Sequence, residues 1–539
     1  MNSATQFENV CRAMSNPGFY PHPVSRLEFR ETHISAVFLT GHWVYKLKKP
    51  KNLSFLDFRD LGDRHHFCQQ EVLLNQRLST GIYEGVVGIR RDEHGNLSLH
   101  AGGTIVEYAV KMFQLPEDSN FAVMLREGRV TQEQISALGR ILAAFHARAE
   151  AGPHIDAFGD PQLIRSNMEE NFEQIQPFVE NRIDREKWEF ICRICLAFWE
   201  DHWALFQHRL RSGKIRDGHG DLRTDHIYFH HGIQIIDCIE FNQRFRFGDT
   251  ALDLAFLMMD LDHLGHSRIA QTLLQVYATT SHDPEIYALL EFYAAYRALV
   301  RLKVACFSLD QAEPARQGPL LKEISLYLLQ AYQYALCFGR PVLWVFFGLP
   351  ASGKSTLARL VTQALFMPLL QSDMVRKQDQ DFPLATVVPF NTGQYRLTMR
   401  NRVYAKLFNM AQEQLKKGKS VALDATFSDS AWRREAVRLA RDHNAGLIFV
   451  QCTCDPETIR ARLAQRDKAP GASDARLIHF ADMLKHHEPF TEEMEDTLVV
   501  ADTDQAVDQT MYEILSKAHA LKRAQVATLL RGLNGTRET

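Results

Sequence analysis

Nothing in this chain stays apolar long enough to cross a bilayer: its hydrophobic runs stop well short of the roughly 18 residues a spanning helix needs. The opening stretch, MNSATQFENVCRAMSN, has no basic segment followed by an apolar one, so a secretion signal is not expected. Charge of one sign is missing as well. Lysine and arginine number 62 against 65 aspartates and glutamates, a net charge of −3. That balance excludes a strongly basic duplex-binding footprint and leaves room only for a local patch. Cysteines are few, odd in number and scattered, nine in 539 residues. They form no disulfide framework and fit reduced thiols in the cytoplasm. Cys192 with Cys195 in EFICRICLAFW, and Cys452 with Cys454 near a strand end, lie close together. Neither pair has a second pair at zinc-site spacing, and both read as packing. Internal repeats and low-complexity tracts are also absent.

What is present is ordinary globular composition, 45% hydrophobic and 24% charged, over a length that implies two or three domains. The first part opens with ETHISAVFLTGHWVYKLKKP, two β-rich runs about Thr40-Gly41 that predict a hairpin. DRHHFCQQEVLLNQRL (63 to 78) has helical periodicity, and GTIVEYAVKMFQL (103 to 115) is strand-like. Helices dominate from 131 onward, interrupted by one β-loop island, DGHGDLRTDHIYFHHGIQIIDCIEF (217 to 241). SLDQAEPARQGP (308 to 319) is polar and proline-bearing and reads as a possible linker, and CFGRP (337 to 341) as a helix stop. Beyond it strands are expected at 342 to 347, 368 to 372, 419 to 424, 446 to 452 and 497 to 501, alternating with helices as in a parallel sheet covered on both faces.

Gly348-Leu349-Pro350-Ala351-Ser352-Gly353-Lys354-Ser355 matches G-x-x-x-x-G-K-[ST], after an apolar strand and at the start of a helix. Glycines let backbone N–H groups turn inward around phosphate oxygens, and the helix adds its positive end. Gly348, Ser352, Gly353, Lys354, Ser355 and Thr356 are the candidate nucleotide cradle, with Lys354 reaching the β- and γ-phosphates and Ser355 holding Mg²⁺. The next strand ends in LLQSDMVRKQ, where Asp373 is placed to accept a hydroxyl proton and Arg376 to hold a polar or anionic acceptor. SVALDATF ends its strand at Asp424, suited to Mg²⁺ or its water. Arg462 and Arg466 share a helix face at i, i+4 in TIRARLAQRDK, a spacing suited to a lid over transferring phosphate.

The stretch from 340 to 520 resembles the small P-loop kinases that include gluconate kinases, zeta-toxin kinases and polynucleotide 5'-kinases. The resemblance rests on the full P-loop, SDMVR, ALDAT and the arginine-bearing helix. It implies Asp373 as base, Arg376 as substrate holder, Arg462 and Arg466 as stabilisers of the transferring group, and ATP (or GTP) with Mg²⁺ as cofactors.

The island carries a second pattern. His219-Gly220-Asp221, followed by IIDCIEF and FGDTALDLAFL, resembles the aminoglycoside phosphotransferases and related choline-kinase-like enzymes over roughly 25 to 300. That resemblance implies Asp221 as base and Asp237 as metal ligand, with Glu240 nearby as a helper. It also implies Asp249 and Asp253 as tethers, Lys46 (or Lys48) pairing phosphate and Glu71, and a hinge about Glu107 to Ala109. One departure is His226 where the family has a metal-binding Asn, with Asp225 adjacent. Imidazole is a poor Mg²⁺ ligand, so either Asp225 substitutes or the second metal is lost. A glycine-rich G-x-G-x-x-G loop before Lys46 is also missing, as it often is in that family.

The expected architecture is therefore two domains. Residues 1–338 form an α+β bilobal protein-kinase-like fold (small lobe about 25–115, helical lobe about 120–338). Residues 339–539 form an α/β P-loop kinase with a five-stranded parallel sheet. The expected activity is an ATP- and Mg²⁺-dependent phosphotransfer to a small-molecule hydroxyl, without a membrane partner. Two alternatives stay open: 5'-hydroxyl kinase activity on a nucleic-acid end in the C-terminal module, and an ATP-driven switch with a pseudokinase-like N-terminal sensor.

Overall fold

β-branched and aromatic residues alternating about Thr40-Gly41 form the expected hairpin, strands Ser35–Leu39 and Trp43–Lys48, which pair in antiparallel register from Ser35↔Lys48 to Leu39↔Val44. The computed structural model describes residues 3–53, 56–378, 397–468 and 476–535. Packing divides the chain into two compact units, Met1–Ile164 with Phe206–Leu273, and Arg165–Leu205 with Leu274–Thr539.

In the first unit the hairpin belongs to a six-stranded antiparallel sheet. Its strand order is Glu28–Glu31, Ser35–Leu39, Trp43–Lys48, Thr104–Phe113, Tyr83–Arg91 and Leu97–Ser98. The helix Leu61–Asn75 starts at Asp60, whose side chain accepts from the N–H groups of Gly62 and Asp63. It buries Cys68, Glu71 and Leu74. A helical lobe follows, with Gln132–Arg148 capped reciprocally by Thr131 and Gln134. The β-loop island lies between helices as two short antiparallel pairs, Ile215–Asp217 with Phe247–Asp249 and Ile227–Phe229 with Ile233–Ile235. This is an α+β arrangement, a β-rich lobe followed by a helical one.

The second unit carries a five-stranded, all-parallel sheet in the order Leu369–Gln371, Val421–Asp424, Val342–Phe347, Gly446–Thr453, Leu498–Asp502. Its central strand, VLWVFF, is buried along its whole length, as a strand covered on both faces must be. All five strands fall where the sequence pattern places them. Helices of 165–205 and 274–339 group with this sheet. Phe198 stacks on Phe292 and meets Phe338 edge-on, each at 5.0 Å. Gly339 lies so close to Ile194 that a Cβ there would come within 2.4 Å of its side chain. The stretch read as a possible linker is instead a tight turn: Ile286–Asp310 and Pro314–Gly339 are long helices separated by three residues, with Pro319 accommodated inside the second. Among the described residues, no helix is long and apolar enough to cross a membrane.

Candidate active sites

The loop Gly348–Ser355 leaves the central strand at its carboxyl end and runs into the helix Lys354–Ala364. Gly348 has φ +141, and a Cβ there would sit 2.4 Å from the carbonyl oxygen of Cys452. No side chain fits. Gly353, at φ +83, caps the helix in the left-handed region. Ala351 adopts φ 66 with a side chain present, a strained conformation held by its surroundings. Its carbonyl accepts from Arg462 Nη1 at 3.2 Å. Arg462 also donates to Thr503 O at 2.9 Å and to Thr503 Oγ1 at 3.3 Å, and Thr503 Oγ1 donates to Ser352 O at 2.9 Å. Arg462 is thus held against the loop itself rather than projecting over it. Arg462 and Thr503 line a cavity of about 470 Å³ with Gly353, Thr356, Gln465 and Gln505. The Arg466 side chain lies outside the described residues.

Asp424 ends the strand beside the central one, in register with Phe346. Its Oδ2 accepts from Gln371 Nε2 at 2.8 Å. Asp424 Oδ1 and Ser352 Oγ are buried without a hydrogen-bond partner in the structure. A buried carboxylate oxygen in that state has unmet capacity for a cation, so the donor set suits Mg²⁺ and a nucleotide phosphate. Asp373 is the second residue of a short helix, Ser372–Gln378, directly after the strand Leu369–Gln371. It accepts from Arg376 Nη2 at 3.0 Å, so these two predicted side chains do meet.

The first unit brings the second set of predicted residues into one cleft. Lys46 Nζ lies 2.5 Å from Asp237 Oδ1 and 2.9 Å from Glu71 Oε1. Lys48 pairs with Glu71 as well, at 2.8 Å, and with Glu240. Both candidate lysines therefore meet the fully buried Glu71. Burial would raise the Glu71 carboxyl, yet Lys46 and then Lys48 outweigh it and hold the pKa below the ordinary value. At Asp237 desolvation pushes up in the same way, while Lys46 and then His226 pull it well below the usual carboxylate range. Asp237 has φ 65, which turns this side chain sharply out of the chain direction.

Asp221 follows a loop fixed from below by Asp253. That carboxylate accepts from the N–H of His219 at 2.7 Å and of Gly220 at 2.9 Å, and meets His146 Nε2 at 3.1 Å. Asp249 takes Arg209 at 2.9 and 2.6 Å through Nε and Nη2, so both aspartates tether, as expected. Burial pushes the His219 imidazole down to about 4, keeping it neutral. His226 lies between Asp221 and Asp237: Nδ1 is 2.9 Å from the backbone carbonyl of Asp221 and 3.7 Å from its Oδ2, and Nε2 is 3.5 Å from Asp237 Oδ2. Asp225 stands apart from this pair. Its side chain is 61% exposed and meets Arg223 Nη1 at 3.5 Å. The carboxylates of Asp237 and Asp221 both lie beside that imidazole, at 3.5 and 3.7 Å.

The expected hinge is also corrected. Glu107 to Ala109 lie within the strand Thr104–Phe113, paired with Ile89, Gly88 and Val87, and Ala109 pairs with Leu47 on its other side. Glu107 is buried and binds Arg64 Nε at 2.9 Å. Backbone groups committed to a central strand are not free to read an adenine; the chain leaves the sheet only after Phe113.

Three contributors escaped the sequence reading. Arg223 donates to Asp221 Oδ1 at 3.2 Å and to His226 Nε2 at 3.3 Å; a cation two residues after the candidate base was the available signal. Gln371 and Thr503 complete the P-loop surroundings, and neither carries a local signal, because Gln371 ends and Thr503 follows an ordinary strand.

Residues 343–490 match the family model described as an AAA domain. Together with the loop, its helix and the parallel sheet, this makes the stretch a P-loop nucleotide-binding domain. The chain belongs to the same family as the uncharacterized proteins Rv2004c of Mycobacterium tuberculosis (strain ATCC 25618 / H37Rv) and Mb2027c of Mycobacterium bovis, each 32% identical over 460 residues, 84% of this chain and 89% of theirs. Among solved structures, similarity extends to the GDP complex of wild-type aminoglycoside 2'-phosphotransferase-IIIa (15% identity, TM-score 0.36, 59% of this chain and 98% of that one). It extends also to a choline/ethanolamine kinase family protein from Mesorhizobium loti (11%, 0.35, 60% and 99%) and a gluconokinase from Sinorhizobium meliloti (16%, 0.23, 37% and 98%).

Proposed function

We propose that this protein is a cytoplasmic, bifunctional phosphotransferase with two nucleotide sites, one in the cleft of residues 1–338 and one in the P-loop module of residues 339–539. The single observation that carries the reading is the cradle at 348–355, a loop whose first residue must be glycine, with two buried, unpartnered oxygens, Ser352 Oγ and Asp424 Oδ1, beside it. Each site transfers the γ-phosphoryl group of ATP (or GTP) to a hydroxyl of a small molecule. The bond from the γ-phosphorus to the leaving diphosphate breaks, a bond to the acceptor oxygen forms, and the hydroxyl proton passes to a carboxylate: Asp373 in the P-loop module, Asp221 in the cleft.

Lys354, with backbone N–H groups of Gly348, Gly353, Ser355 and Thr356, orients the phosphates, and Arg376 positions Asp373 or the acceptor. Arg462 fixes the P-loop and walls the nucleotide cavity, while the transferring-group role read for Arg466 rests on the sequence alone. In the cleft Lys46, set by Glu71, takes the phosphate. Mg²⁺, when bound, neutralises charge on the phosphates being transferred; Ser355 and Asp424 would hold it in one site and Asp237 in the other. A second reading is favoured by His226 and Arg223 closing around Asp221 and Asp237: the cleft then acts as a sensor rather than a kinase.

The test is transfer from γ-labelled ATP to sugars, aminoglycosides, nucleosides and 5'-hydroxyl oligonucleotides, comparing wild type with Lys354→Ala and Asp221→Ala. Two kinases predict that each substitution abolishes labelling of a different acceptor. Loss with Lys354→Ala alone assigns the cleft to sensing. Labelling confined to oligonucleotides, and fading with salt, would replace the small-molecule acceptor with a nucleic-acid end. Slow phosphate release with no labelled acceptor would reject the kinase mechanism at both sites.

A further inference from the structure

The P-loop stands at the carboxyl ends of the parallel strands. At their amino ends, on the far edge of the same unit, lies a second cavity of about 430 Å³. Val342, Pro368 and Ser420, which begin or immediately precede three of the strands, form part of its wall. Phe198, Phe338 and Trp344 supply flat aromatic surface. A mixed wall of this size is typical of a small-molecule site.

The charges on the wall are unequal. Arg340, Lys419 and Lys522 line it against one acid, Asp201. Arg340 is engaged by the carbonyls of Asn444 and Ala445, each at 2.9 Å. The two lysines are held loosely. Lys419 meets Asp201 at 3.0 Å, but both side chains are nearly half exposed, 47% and 45%. An exposed pair of this kind contributes only about 0–1 kcal/mol. Lys522 Nζ is 4.0 Å from the nearest oxygen of Glu291. His519 also lines the cavity, is 5% exposed, and engages Glu291 through Nε2 at 2.5 Å. Its Nδ1 has no hydrogen-bond partner in the structure. Burial would raise the Glu291 carboxyl, but His519 and then Lys522 outweigh that and hold it well below the ordinary range. Glu291 lies behind the wall, and the side chains that line the cavity carry three cations, Arg340, Lys419 and Lys522, against one carboxylate, Asp201.

We infer that this cavity is a second small-molecule site, separate from the nucleotide cradle, for an organic anion that carries a flat ring. Its ring packs against Phe198 and Trp344. Its anionic group takes Lys522 and Lys419 in place of their weak present partners. The buried Nδ1 of His519 gains a hydrogen-bond partner from the same ligand.

The probe is 8-anilinonaphthalene-1-sulfonate, a fluorescent ring-bearing anion, titrated onto the full-length chain with ATP and Mg²⁺ saturating the nucleotide sites. Inorganic phosphate is titrated in parallel by calorimetry. The expected result is saturable fluorescence with one high-affinity site, weakened on the order of tenfold by Lys522→Glu and abolished by Ala288→Phe, which fills the cavity from the helix wall. Both variants should keep the wild-type circular dichroism spectrum and ATP affinity, which separates loss of the site from loss of the fold. Fluorescence that is non-saturable, or unchanged in both folded variants, would overturn the inference. Binding of phosphate with equal affinity would overturn the requirement for a ring.

Discussion

The two candidate nucleotide sites solve the same problem with opposite materials. At 348–355 the anion receptor is backbone, and the side chains around it are few. Its geometry is enforced by a turn that only glycine can make against the Cys452 carbonyl. The cleft of the first unit is built from side-chain charges that already satisfy one another: Lys46 with Asp237 and Glu71, Lys48 with Glu71 and Glu240, Arg223 with Asp221. A phosphate entering the P-loop displaces water. A phosphate entering the cleft must also draw Lys46 away from Asp237. Preorganised dipoles need no such exchange, so a phosphate is expected to bind more tightly at the P-loop than in the cleft, where it would compete with ion pairs already formed.

The largest expected effect lies in the cleft. Glu71→Gln removes the buried acid shared by two lysines and should destabilise the first unit by about 3–5 kcal/mol, the usual cost of breaking a buried pair. Urea unfolding followed by circular dichroism measures it; a change within error would mean that Asp237 and Glu240 suffice. Next comes Lys354→Ala, which should lower P-loop phosphotransfer on the order of 10²–10³-fold while leaving that unfolding transition in place. Smaller again is a pH effect confined to the cleft. His219 is neutral in the fold, with its pKa near 4 against an ordinary 6.5. The unfolded chain therefore binds the extra proton, and stability falls as pH drops below about 6.5. Between pH 7.5 and 5 the loss is about 2 kcal/mol. Denaturant titrations at the two pH values should show it in wild type and not in His219→Gln. The smallest effect belongs to Asp225→Asn. This exposed carboxylate should alter cleft activity by no more than about twofold in steady-state rates; a large loss would restore it as a metal ligand.

Much of the second unit was legible in the sequence because parallel strands buried on both faces read as unbroken apolar runs. All five strands, the loop and its helix follow from that pattern. The cleft was legible through the family resemblance of HGD, IID and WVYKLKK: Lys46, Glu71 and Asp237 meet, and His226 joins Asp237 to Asp221. What escaped depends on contacts that no local pattern encodes. Glu107 was placed at a hinge by the family resemblance of VEYAVKM, but the strand order puts it in mid-sheet, where Arg64 binds it. Arg462 looked like part of a mobile lid because of its i, i+4 partner. Its actual partners, Ala351 and Thr503, are brought to it from two other elements. The helix turn at 311–313 looked like a linker because polar residues and a proline also suit a tight helix–helix connection.

The long helices of 286–339 and the helix Arg185–Asp201 pack with the P-loop sheet, although the pattern of alternating strands starts only after residue 338. A gene fragment beginning at the P-loop strand would encode every residue of the nucleotide cradle and still leave Phe198, Phe292 and Phe338 behind. Such a fragment would expose the apolar face they cover. For anyone trimming this protein, and for any recombination event that has tried to, the reading frame of the motif and the unit that can be inherited whole are different lengths.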